Sequence, residues 1–136
     1  MQAAVLSKDP ALIRDTARVA AELLLSGSWT TAQRLNASAM LAAVDGRPQD
    51  ATADMRAARA ILTRIGVAFD DATYVVLTAT LLPDEPEVRA WAEEVRPLLV
   101  DLRAAPWLRF LDEALASGTA TATTGAAAEA RVPTEG

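Results

Sequence analysis

The 136-residue chain contains no cysteine and no histidine. The first absence excludes disulfides, thiolate nucleophiles and Cys/His zinc sites, and the second excludes every imidazole-based acid–base mechanism. Aromatic residues make up only 4% of the chain although hydrophobic residues reach 51%. The apolar content is therefore mostly Ala, Leu and Val, which suits closely packed helices and not a β-sandwich. Lysine is almost missing: Lys8 stands alone among 13 basic residues, and the arginines are scattered. With a net charge of −5 and an isoelectric point near 4.7, the chain has no basic patch of the kind that gives nucleic-acid-binding domains their affinity. It has no glycine-rich phosphate loop, no dinucleotide fingerprint, no charged leader before an apolar core and no apolar run of membrane-spanning length. The expectation is a soluble cytoplasmic protein without cofactor or metal, touching neither nucleic acid nor membrane, and not an enzyme.

What is present is an apolar stripe that occurs twice. Ala51, Met55, Ala58, Leu62 and Ile65 advance by alternating steps of four and three, which is one face of an α-helix. Moved 37 positions on, the same steps read Val88, Ala92, Val95, Leu99 and Leu102. Ala37, Met40 and Val44 map onto Tyr74, Leu77 and Leu81 by the same shift, so the intervening helix repeats as well. A two-helix period of this length is the mark of an α-solenoid, whose hairpins bury their stripes only by stacking.

The punctuation agrees. Asp9-Pro10 starts a first helix that runs to about Leu25, with Ser26-Gly27-Ser28 as its stop. Its stripe of Ile13, Ala17, Ala20 and Leu24 matches the later one at a shift of 38. A second helix spans about Thr30 or Thr31 to Val44, and a third spans about Asp50 to Ile65, ending at Gly66. Asp70 caps a fourth helix reaching Leu82, and Pro83-Asp84-Glu85-Pro86 turns into a fifth, about Glu87 to Leu102. Pro97 predicts a bend or a break inside it. A last helix starts at Pro106-Trp107 and ends near Ala116, before Gly118. The predicted architecture is all-α: an α-solenoid of antiparallel hairpins with five to six helices, occupying residues 1–116. Complete hairpins fall at about 30–65 and 69–102. Residues 117–136 have no periodicity and are expected to form a disordered tail.

The turns Gly27-Ser28-Trp29-Thr30-Thr31-Ala32 and Gly46-Arg47-Pro48-Gln49-Asp50-Ala51 resemble the inter-helix turn of tetratricopeptide repeats. The endings Ile61-Leu62-Thr63-Arg64-Ile65-Gly66 and Ala104-Ala105-Pro106-Trp107-Leu108 resemble the ends of repeat helices. The usual large aromatic positions are mostly missing, so the repeats are divergent. Such endings are similar to the C-terminal repeat regions of bacterial class III adenylate cyclases with an ATPase core and of LuxR-type regulators. The resemblance covers roughly residues 10 to 116. It implies a non-catalytic interaction or regulatory module, a fragment or shortened relative of a larger signalling protein's repeat array.

Few residues stand out as site candidates. Trp29, Trp91 and Trp107 fit packing at helix starts better than ligand contact. The acidic pairs Asp70/Asp71, Asp84/Glu85, Glu93/Glu94 and Asp112/Glu113 fall largely in first helical turns, where the helix dipole accounts for them. Arg59 and Arg96 coincide at the 37-residue shift, project alike, and are candidates for partner binding. Leu12 and Leu23 lie off the first helix's main stripe and are candidates for self-association or for docking onto further repeats. Two alternatives to a protein- or peptide-binding module remain open. One is a small-molecule-binding or small enzymatic domain using carboxylates and Tyr74. The other is a self-associating helical bundle.

Overall fold

The computed structural model describes residues 2–22 and 27–129, with side chains over residues 2–20 and 27–118. Among these residues the chain is all-α, with seven helices and no strand: α1 (Gln2–Ser7), α2 (Pro10–Glu22), α3 (Ser28–Val44), α4 (Pro48–Ile65), α5 (Ala68–Leu81), α6 (Pro86–Asp101) and α7 (Ala105–Glu129). The count exceeds the expected five to six. Residues 2–7, too few to show a periodic stripe, coil into α1 and bury Ala4 and Val5.

Local chemistry sets most boundaries. Asp9 Oδ1 accepts the backbone N–H of Ala11 at 3.0 Å and of Leu12 at 3.3 Å. Pro10 holds the first position of α2, where no N–H is needed. Pro48 and Pro86 begin α4 and α6 in the same way. α5 departs from expectation, because its N-cap is Val67 and Asp70 and Asp71 sit inside its first turn. The tight turn at Gly66 starts the helix early, and the acids are left at the positive end of the dipole. α6 runs through Pro97 unbroken, with the proline exposed to solvent.

α7 does not end near Ala116 but continues to Glu129. Gly118, read as a stop, is buried, and a β-carbon there would meet Asp84 Oδ1 at 2.7 Å and the Pro83 carbonyl oxygen at 2.8 Å. Glycine therefore lets α7 pass the α5–α6 loop where a side chain would collide. The backbone stays helical to Glu129, through residue 117, where the tail was expected to begin, and residues 130–136 lie outside the described residues.

α3 packs against α2 and α4. α5 packs against α3, α4, α6 and α7, and α1 lies on it. Residues Asp71 to Ala79 of α5 are buried without interruption. Thr73, Val75, Val76, Thr78 and Thr80 give this helix a weak intrinsic preference. Tertiary burial carries it, and the Thr78 and Thr80 hydroxyls donate to the carbonyls of Tyr74 and Val76 at 2.8 and 2.9 Å.

Several residues 37 apart share their burial, although Ala32 is buried and Phe69 is exposed. Ala51, Met55, Ala58 and Leu62 are buried in α4, as are Val88, Ala92, Val95 and Leu99 in α6, and both stripes finish on exposed residues, Ile65 and Leu102. Ala37 and Met40 are buried like Tyr74 and Leu77, while Val44 and Leu81 are both half-buried. The backbone shows the same spacing. Gly66 ends α4 at φ 76°, with N–H groups of Gly66 and Val67 bonded to the carbonyls of Thr63 and Leu62. Arg103 follows α6 at φ 52°, with N–H groups of Arg103 and Ala104 bonded to the carbonyls of Val100 and Leu99. That conformation suits glycine, whereas a side chain there costs on the order of 1 kcal/mol.

Candidate functional site

Arg59 lies on α4 with its side chain only 13% exposed. Its Nε and Nη2 donate to the two carboxylate oxygens of Asp71 on α5 at 2.8 and 3.0 Å, and its Nη1 donates to Glu94 on α6 at 3.2 Å. The guanidinium also sits 5.3 Å from the centre of the Trp91 ring. Such a bidentate, stacked arginine ties three helices together. Arg96, 37 positions on, likewise reaches forward from α6 to Asp112 on α7 at 2.8 Å, and to Glu93 at 3.5 Å. Both candidate arginines are thus engaged within the chain.

Two of the tryptophans, and the acids Asp71, Glu93, Glu94 and Asp112, are engaged within the chain as well. Trp91 is buried beneath Arg59, and Trp107 makes edge-on contacts with Phe69 and Phe110 at 6.4 and 6.1 Å. Trp29 is half exposed. Among the described residues no group of three or more acidic side chains is placed to hold a metal ion. Leu12 is 46% exposed on α2 and Val19 beside it 64%, while Leu23 lies outside the described residues.

A polar cavity of about 320 Å³ opens instead between α1, α3 and α5, lined by Gln2, Ala3, Gln33, Asn36, Asp70 and Tyr74. α3 supplies Gln33 and Asn36 from one face, three residues apart. α5 supplies Asp70 and Tyr74 four apart, so they too share a face. Asp70 and Asp71 are adjacent but point apart: Asp71 to the Arg59 clamp, Asp70 to the cavity. Asn36 is 3% exposed and Tyr74 is 5% exposed. Neither the Asn36 Oδ1 nor the Tyr74 hydroxyl has a hydrogen-bond partner among the described residues. Burial, and next the charge of Asp70, push the Tyr74 phenol up to about 12. The ring is therefore a neutral phenol throughout the physiological range, able both to donate and to accept.

Tyr74 and Asp70 were candidates from sequence, whereas Asn36, Gln33 and Gln2 were not. The signal for Asn36 was there: it is the chain's only asparagine, standing four residues after Ala32 and four before Met40 on an otherwise apolar stripe. No family model matches this chain, and no curated protein or solved structure matches it either.

Proposed function

We propose that the chain is a non-catalytic, cytoplasmic interaction or regulatory module, a short α-solenoid of divergent tetratricopeptide-like hairpins in which α3–α4 and α5–α6 are successive repeats. The observation that carries this reading is the agreement of residues 37 apart in burial, in the left-handed turns at Gly66 and Arg103, and in the forward reach of Arg59 and Arg96. A unit stacked twice leaves extended surfaces for a partner. We assign a protein or peptide partner to the face of α3, α5 and α7. α1 already covers part of that face. Gln2 and Ala3 sit with Asp70 and Tyr74, and Leu6 and Lys8 sit with Thr80 and Phe110, so α1 runs in the same direction as α5. A short helix with Val5 fully buried outlines how a partner segment would lie.

Panning a displayed peptide library on the immobilised chain tests this, with selected peptides mapped by NMR. Binders are expected to shift the resonances of Gln33, Asn36 and Tyr74. Peptides that perturb only α4 and α6, or no enrichment over a scrambled library, would overturn it. A second reading, self-association through α2, is favoured by the exposed Leu12 and Val19. Light scattering should then give a dimer that Leu12→Glu converts to a monomer, and a monomeric wild type ends that reading.

A further inference from the structure

We propose that the cavity beneath α1 binds a primary alkylammonium group, held by Asp70, Asn36 and Tyr74. This rests on the assignment of the α3, α5 and α7 face as the binding face, and it names the chemistry recognised there. The lining offers a carboxylate from Asp70, side-chain amides from Gln33, Asn36 and Gln2, and the phenol of Tyr74, while no basic side chain is among the described residues that line the cavity. An anion entering this space would meet Asp70 without a counter-charge. A cation would meet a carboxylate that has no ion-pair partner among the described residues, unlike Asp71 next to it.

The two orphaned atoms carry the argument further. Buried polar atoms in folded proteins are nearly always paired, and those left unpaired call for an explanation. Here two such atoms, Asn36 Oδ1 and the Tyr74 hydroxyl, belong to residues on different helices that line one cavity. A ligand bringing several N–H donors satisfies both while neutralising Asp70. An ammonium carries three donors on a compact head, and a guanidinium spreads its donors in a plane. Acceptors drawn from two helices favour a compact head over a planar fork, and hence the ammonium. The head occupies roughly the volume of one water, about 30 Å³, so a cavity of about 320 Å³ has room for an alkyl stem. The same chemistry is offered by a free alkylamine and by a lysine side chain of a partner.

Because Tyr74 is the only tyrosine, its ring resonances report on the cavity alone. The full chain, labelled at tyrosine, is titrated with n-butylammonium chloride and with a blocked Gly-Gly-Lys-Gly-Gly peptide. Potassium chloride, n-butanol, sodium butyrate and the norleucine peptide are the controls. A saturable shift is expected with at least one ammonium probe and with none of the controls. Affinity should weaken by about tenfold or more in Asp70→Asn, as for loss of a hydrogen bond to a charged group. Binding of the peptide alone identifies a partner's lysine, and binding of n-butylammonium alone identifies a free amine. Asn36→Leu repeats the measurement on α3 should Asp70→Asn lower the melting temperature. Absence of saturation with both ammonium probes overturns the proposal, as does equal binding of n-butanol or butyrate, or unchanged affinity in both variants. Library peptides that bind this face without a lysine would overturn it and leave the interaction module standing. An amine that binds while no peptide does would sink the module and leave the cavity's chemistry intact.

Discussion

On one side of α5, Asp71 accepts two hydrogen bonds from Arg59 at 2.8 and 3.0 Å, and Trp91 lies against the same guanidinium. On the other side, Asp70 borders a cavity in which Asn36 Oδ1 and the Tyr74 hydroxyl have no partner among the described residues. Two adjacent carboxylates on one helix thus serve different ends. Where polar groups are buried to hold helices together, their bonds are made within the chain. Where they remain unmade, the fold bears a penalty that packing alone does not explain.

The largest expected effect tests the clamp side. Asp71→Ala leaves the buried Arg59 with only Glu94, and should lose about 3 kcal/mol in urea denaturation, the lower end for breaking a buried pair. Asp70→Ala should stay within about 1 kcal/mol, the contribution of an acid in a first helical turn. Equal losses would erase the contrast between the two faces.

The cavity side predicts the opposite sign. Tyr74→Phe removes a buried hydroxyl that has no partner, and should raise stability by up to about 1 kcal/mol. A clear fall in melting temperature would reveal a bond that this hydroxyl makes in solution. Its titration gives a companion test. The folded phenol titrates at about 12, against roughly 10 when unfolded. Between those values the native state holds a proton that the unfolded chain has released. The stabilisation is therefore complete below pH ~10 and is lost as pH rises through ~12. Wild-type stability should fall faster than that of Tyr74→Phe across this window, and parallel curves would show an ordinary phenol.

The smallest effect isolates burial as the cause of the clamp's strength. Arg56, also on α4, pairs with Glu87 at 2.7 and 2.9 Å, as short as the Arg59 pair, and its hydrogen bond lowers the Glu87 carboxyl from its ordinary value. The two side chains are 60% and 38% exposed. Arg56→Ala should change stability far less than Asp71→Ala does, and by less still at high salt. A loss rivalling that of Asp71→Ala would mean that geometry, not desolvation, separates the pairs.

The helices from α2 to α7 were largely legible because their stripes are long enough to show a period and their ends carry Pro, Gly or Asp. α1 was not, since six residues hold less than two turns and Val5 is buried by a helix far along the chain. Gly118 misled because glycine has one appearance in sequence and two physical uses, ending a helix or admitting a close neighbour. At the site, Tyr74 and Asp70 stood out as residue types, yet their grouping with Asn36 depends on how α3 meets α5. The division of labour between Asp70 and Asp71 likewise depends on which helix each faces, a property that no local pattern encodes.

The seat of α1 on α5 also bears on the order of events during synthesis. Val5 leaves the ribosome about seventy residues before Tyr74, an interval of roughly 4 to 14 s at usual elongation rates. Throughout that time α1 lacks the α5 surface it rests on and has only α2 beside it, while α2, α3 and α4 can already pair with one another as they emerge. Docking of α1 is thus a late step for an early segment. A nascent chain stalled before α5 would present Val5 and Leu6 to whatever chaperone or partner is near.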